Sequence, residues 1–236
     1  VEATELLDLF LKCVQIPYLS VGRDINYAFL REKDVLYLFF ESSNGALDWK
    51  RNFDFPAKPY KRMGKTVWFA HSGFLNAWKA LQPHLAPLIH DRRLDKIVVT
   101  GYSHGAAIAV LCHEYIWYAR ADLRPRLESY GFGCPRVIWG VTLPSIAKRW
   151  ERFVVIRNLN DLVTHLPPAC LGYRHVGTVK EIGVRGKYSM IDAHRPENIE
   201  RELLVYQNNS TETALARGSS EVKTNSLSPA RSAISR

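Results

Sequence analysis

Short apolar runs alternate with amphipathic stretches over most of the chain. ATELLDLFLKCVQ reads as an opening helix, and INYAFLRE and DVLYLFFES as two strands joined through a charged turn. TVWFAHSGF reads as a strand with its exit loop, and LNAWKALQPHLAPLIHD as a helix interrupted by prolines. Strand DKIVVT, helix GAAIAVLCHEYIWYARA, strand LESYGFG, helix VTLPSIAKRWE and strand RFVVIRNLN follow. Strands separated by helices of this length imply crossover connections. The expected fold is therefore α/β: a mainly parallel central sheet with helices on both faces, preceded by an antiparallel strand pair.

The pattern changes after Tyr206. QNNSTETALARGSSEVKTNSLSPARSAISR has no aromatic residue and is dominated by Ser, Thr, Asn and Ala. So little apolar surface does not offset the entropy of ordering a chain, so residues 207–236 are expected to be a disordered tail. Residues 1–206 are expected to form a single enzyme-sized domain.

Composition narrows the function classes. Lys and Arg outnumber Asp and Glu by 32 to 23, but they are scattered and form no basic run, so nucleic acid is not an expected partner. Cys13, Cys112, Cys134 and Cys170 are far apart and mostly in apolar surroundings, as suits reduced thiols. The chain has no CxxC pair, HExxH, Walker A or complete GxGxxG pattern, so no metal and no cofactor is expected. No apolar run approaches the roughly 18 residues that span a bilayer. VEATELLDLFLKCVQ is acidic where a signal peptide would be basic, and the expected compartment is the cytoplasm.

The candidate chemistry lies in KIVVTGYSHGAAIAVL, where a serine stands between two glycines as an apolar strand breaks into an apolar helix. Gly101-Tyr102-Ser103-His104-Gly105 fits G-x-S-x-G, and the strand and helix that this pattern requires are both present. The tight turn strains the serine backbone, and the glycines leave room for neighbouring elements, so the Ser103 hydroxyl projects above the sheet. The backbone N–H of His104, at the helix start, faces the same space as an oxyanion donor. A serine needs a histidine to accept its proton and a carboxylate to orient that histidine. Asp161, just past an apolar strand, is the best placed acid, and Asp192 reads as a turn residue. Of eight histidines, His194 is favoured as the base because its loop before the last helix swings over the strand ends. His175 remains the alternative.

With these residues assembled, the chain resembles the class 3 lipases, the α/β-hydrolase group that includes the fungal triacylglycerol lipases. The likeness runs from about Asp24 to Leu204. Its carriers are VVTGYSHGAAIA, SYGFGCPRV, NDLVTHLPP, AHRPENIEREL and HSGFLNAW, in the family's order. The resemblance implies an α/β-hydrolase fold and serine hydrolysis of carboxylic esters through an acyl-enzyme. It assigns Ser103 as nucleophile, Asp161 as orienting acid and His194 as base. It also aligns Phe40-Glu41-Ser42-Ser43 with the family's F-R-G-T segment, which makes Ser43 the second oxyanion donor beside His104.

The sequence departs from the family at Glu41, where the family has arginine, and at Ser42, where it has glycine. A carboxylate there opposes a developing oxyanion, and this is the support for the alternative reading: a silent hydrolase fold that binds a lipid, an acyl group or a protein. The stretch NGALDWKRNFDFPAKPYKRMG occupies the place of the family's lid. The implied partner is an acyl ester or lipid, with transient contact to a lipid surface. The oligomeric state has no signal in the sequence.

Overall fold

The structure, a computed structural model, describes residues 2–21, 25–41, 56–62, 65–140 and 144–225. In chain order its strands are β1 (Leu19–Val21), β2 (Ile25–Glu32), β3 (Val35–Glu41), β4 (Ala57–Arg62), β5 (Lys65–His71), β6 (Lys96–Tyr102), β7 (Leu127–Phe132), β8 (Ile138–Trp139), β9 (Phe153–Asn158), β10 (Tyr173–Arg174) and β11 (Thr178–Ile182). The helices are α1 (Ala3–Gln15), α2 (Ser72–Ile89), α3 (His104–Ala119), α4 (Pro144–Ala147) and α5 (Pro196–Asn225).

The main sheet runs in the order β1-β2-β3-β6-β7-β9-β11. β1, β2 and β3 pair antiparallel, as the charged turn between β2 and β3 requires, and the pairs from β3 through β6, β7 and β9 to β11 are parallel. Central strand β6 is buried along almost its whole length, which explains why KIVVTG reads as a continuous apolar run. Helices cover both faces. Leu75, Trp78 and Leu81 of α2 share a core with Ala107, Ile108 and Leu111 of α3. On the other face Leu6 and Phe10 of α1 pack with Ile199 and Leu203 of α5, against Val98, Phe132 and Ile156 of the sheet. The acidic residues of the N-terminal segment are thus the polar side of a helix whose apolar side belongs to the core.

The fold departs from the sequence reading in four places. α2 runs unbroken across Pro83 and Pro87 because Trp78, Leu81, Leu85 and Ile89 keep one face buried, which offsets the lost helical hydrogen bonds. Of VTLPSIAKRWE, the described residues 144–151 hold the four residues of α4 and one 3-10 turn, Lys148–Trp150, and among them Trp150 alone is buried. A second sheet, ordered β10-β8-β5-β4, has no counterpart in the reading. Two of its strands have only two residues each, too short for any periodicity to register. Finally, α5 continues past Tyr206 to Asn225, so the tail boundary expected at 206 falls inside a helix. The helix formers in TETALAR favour that continuation where composition alone suggests disorder.

All four cysteines are free. Cys13, Cys112 and Cys134 are buried, and burial raises all three thiols, Cys13 to about 12, which keeps them protonated and unreactive. Among the described residues no helix is long and apolar enough to cross a membrane.

Candidate active site

β6, β7 and β9 run parallel and end at one edge of the sheet, and the reactive side chains gather there. Ser103 follows β6 directly, with φ 57° and ψ −123°, a backbone conformation that costs a non-glycine residue about 1–3 kcal/mol. The surroundings enforce it. The Ser103 N–H donates to the carbonyl of Phe132, and α3 begins at the next residue. A β-carbon on Gly101 would lie 2.3 Å from the carbonyl oxygen of Gly105, and one on Gly105 would lie 2.0 Å from the carbonyl oxygen of Phe40. The two glycines of the motif are therefore points where main chains of strand and helix touch.

The three residues expected to act together meet. His194 Nε2 lies 2.8 Å from Ser103 Oγ, and His194 Nδ1 lies 2.8 Å from Asp161 Oδ2. With Nδ1 protonated, the imidazole donates to the carboxylate and accepts the serine hydroxyl. Asp161 is fully buried and Ser103 and His194 nearly so, so the relay is shielded from bulk water. The second oxygen of Asp161 accepts the Val163 N–H at 2.9 Å, and Thr164 Oγ1 donates to the Asp161 carbonyl at 2.8 Å, which fixes the carboxylate after β9.

His175 is not brought to the serine. Its Nε2 donates to the Thr164 carbonyl at 2.8 Å, and burial lowers its pKa to about 4. Asp192 accepts from the Ser189 hydroxyl at 2.6 Å and shapes the turn before His194. His104 opens α3, and its ring packs on Phe74 at 5.3 Å between centroids. Glu41, whose charge is expected to oppose an oxyanion, ends β3, and burial raises its carboxyl pKa. Ser42 and Ser43, and with them the expected second oxyanion donor, lie outside the described residues, as does the greater part of the lid-like stretch.

The sequence reading missed three residues. Gly133, at φ +56°, lies against the His194–Asp161 pair. Tyr102 donates its hydroxyl to the His194 carbonyl at 2.6 Å, and its ring stacks on the imidazole at 5.2 Å with planes 21° apart. Burial, with the charge of Asp161 adding, pushes the Tyr102 phenol up and keeps it a donor. Asn158 Nδ2 donates to the Ala193 carbonyl at 2.8 Å. The available signals were the variable position before the serine and the Asn three residues before Asp161. Among the described residues no group of three or more His, Cys, Asp or Glu side chains is placed to hold a metal ion.

Comparison with known proteins bears on the family and the fold. A family profile described as "Lipase (class 3)" matches residues 37–170. The lipase of Rhizomucor miehei is 30% identical over 150 residues, which cover 60% of this chain and 40% of that protein. A Fusarium solani protein named secreted mono- and diacylglycerol lipase 1 is 29% identical over 132 residues, covering 54% of this chain and 38% of that protein. Among solved structures, the lipase of Rhizopus microsporus var. chinensis superposes with a TM-score of 0.65 at 22% identity, covering 77% of this chain and 75% of that one. At that identity the likeness bears on the fold, and it agrees with the α/β-hydrolase architecture. The chain spans about two fifths of the length of these curated relatives.

The comparisons also correct one expectation. Relatives from Fusarium and from Malassezia carry the word "secreted" in their names, which overturns the cytoplasmic assignment. The physical reason is in α1: the acidic N-terminal segment is a packed helix of the folded domain. Its charge never bore on export.

Proposed function

This chain belongs to the class 3 lipase family, and from that premise we propose that it hydrolyses carboxylic esters, acylglycerols among them, through an acyl-enzyme on Ser103. The observation that carries the reading is the buried relay from Ser103 Oγ through His194 to Asp161. As Ser103 Oγ attacks the ester carbonyl, His194 Nε2 takes its proton, and Asp161 stabilises the imidazolium that forms. The His104 N–H, with Ser43 as the second donor, holds the oxyanion. Collapse of the tetrahedral intermediate expels the alcohol, protonated by His194, and leaves the acyl group on Ser103. A water molecule, deprotonated by the same imidazole, then releases the acid.

The names of the Fusarium and Malassezia relatives support acylglycerols as the substrate class, and transient contact with a lipid surface goes with that class. Phe69 and Trp139, directly opposite in register, in edge-to-face contact and about two fifths exposed, offer apolar area for it. The test is fluorophosphonate labelling with hydrolysis of p-nitrophenyl butyrate and of a triglyceride emulsion. The wild type is expected to be labelled at Ser103 and to hydrolyse the soluble ester, with both lost in Ser103→Ala. Undiminished hydrolysis by Ser103→Ala sinks the reading. Trp139→Ala is expected to reduce emulsion hydrolysis while leaving the soluble ester unaffected.

A further inference from the structure

We propose that Tyr102 and Asn158 are positioning residues for His194, holding the carbonyls of residues 193 and 194 so that the imidazole stays in register between Ser103 and Asp161. For its kinetic consequence the proposal rests on the hydrolase reading. Its structural content does not depend on that reading.

The need for such a clamp follows from where His194 sits. Ser103 and Asp161 are delivered by the ends of β6 and β9, which are bonded into a buried parallel sheet. His194 ends a single 3-10 turn, Asp192–His194, in a connection whose Met190 and Ile191 are 59% and 43% exposed. The connection has ties of its own: Leu162 N–H to the Met190 carbonyl, the Ser189–Asp192 pair, and Asn198 Nδ2 to the Asp192 carbonyl. These shape the turn and anchor it near residue 162 and the start of α5. None of them reaches β6.

Tyr102 and Asn158 supply the missing ties, and each belongs to a strand that delivers one partner of His194. Tyr102 is the last residue of β6 and immediately precedes Ser103, while Asn158 is the last residue of β9, three before Asp161. Their bonds, 2.6 Å to the His194 carbonyl and 2.8 Å to the Ala193 carbonyl, therefore reference the imidazole to the same two strands as its partners. The stack of the Tyr102 ring on the imidazole, 5.2 Å and 21°, fixes the ring plane as well. Asn158 is almost completely buried, so breaking its bond strands a carbonyl in the interior. Precise placement matters to rate because a displacement of about 1 Å at a reacting group costs about 10²-fold.

The test is a double-mutant cycle of Tyr102→Phe and Asn158→Leu on the full chain. Two quantities are read: kcat and KM for p-nitrophenyl butyrate, and the downfield proton resonance of the Nδ1–H shared with Asp161 in the resting protein. Each single variant leaves one tie and is expected to lower kcat about tenfold with KM held, and to keep the resonance. The double variant is expected to lose more than the product of the two and to lose the resonance. Additive effects on kcat with the resonance intact in all variants would overturn the proposal. If the double variant does not fold by circular dichroism, Tyr102→Phe alone decides: unchanged kcat and an unshifted resonance refute it. A wild-type chain without esterase activity would defeat the hydrolase reading, and the resonance would then decide the positioning role by itself.

Discussion

Gly133 leaves no room for a methyl group beside His194: a β-carbon built on it would lie 2.8 Å from His194 Cε1, 2.9 Å from Nδ1 and 3.2 Å from Asp161 Oδ2. Its φ of +56° is also a conformation that L side chains rarely adopt, and its N–H donates to the carbonyl of Ile156, so the backbone cannot move away. Gly133→Ala is expected to push the imidazole off its line to Ser103. The expected outcome is a loss in kcat of about 10²-fold, with about 1–2 kcal/mol of stability lost to the backbone strain. Steady-state kinetics and urea denaturation check the two parts separately.

Gly105 is constrained by main chain alone. A β-carbon there would meet the Phe40 carbonyl oxygen at 2.0 Å and the Glu41 nitrogen at 2.7 Å, and neither can rotate away. Gly105→Ala is expected to pry α3 from the end of β3, at a cost of at least about 1–3 kcal/mol. The rate of fluorophosphonate labelling of Ser103 should fall with it. An unchanged urea midpoint would contradict this packing.

Asp161→Asn preserves volume but turns an acceptor toward His194 into an amide. The histidine proton at Nδ1 then loses its partner, and the opposite tautomer, which cannot accept from Ser103, is favoured. A fall in kcat of about 10⁴-fold is expected, with circular dichroism unchanged. Retention of more than a tenth of wild-type kcat would show that the carboxylate does not orient the base.

His113 predicts a pH dependence of stability away from the site. It is buried between Ser129 Oγ at 2.6 Å and the Arg149 carbonyl at 2.8 Å, and burial lowers its pKa from 6.5 to about 4. Between those values the unfolded chain binds a proton that the folded chain refuses. Its share of stability is thus fully present above pH 6.5 and lost as the pH falls toward 4, on the order of 3 kcal/mol in all. His175, also lowered to about 4, acts in the same window. His113→Gln is expected to flatten, without abolishing, the fall of thermal midpoint between pH 6.5 and 4.

What could be read in the sequence was what depends on neighbours along the chain. The elbow was legible because its strand, turn and helix are consecutive, and the demand for glycine on either side of Ser103 is met within five residues. Asp161 was legible as the carboxylate that follows an apolar strand. His194 could be favoured by chain order, yet His175 stayed open, because nothing local says which imidazole reaches a serine some ninety residues earlier. The prolines of α2 misled for the complementary reason: the buried face that carries the helix through them is formed by distant parts of the chain.

The sequence alone thus determined the strands β2, β3, β6, β7 and β9, the mainly parallel sheet that holds them and the three chemically necessary residue types, since propensity and periodicity act over short spans. Only the tertiary structure decided which histidine joins the serine and the acid. It also showed that Gly133 leaves them space and that Tyr102 and Asn158 reach the carbonyls behind the ring. Those are contacts between strand ends and a distant connection, made by folding the sheet, and no spacing along the chain encodes their distances.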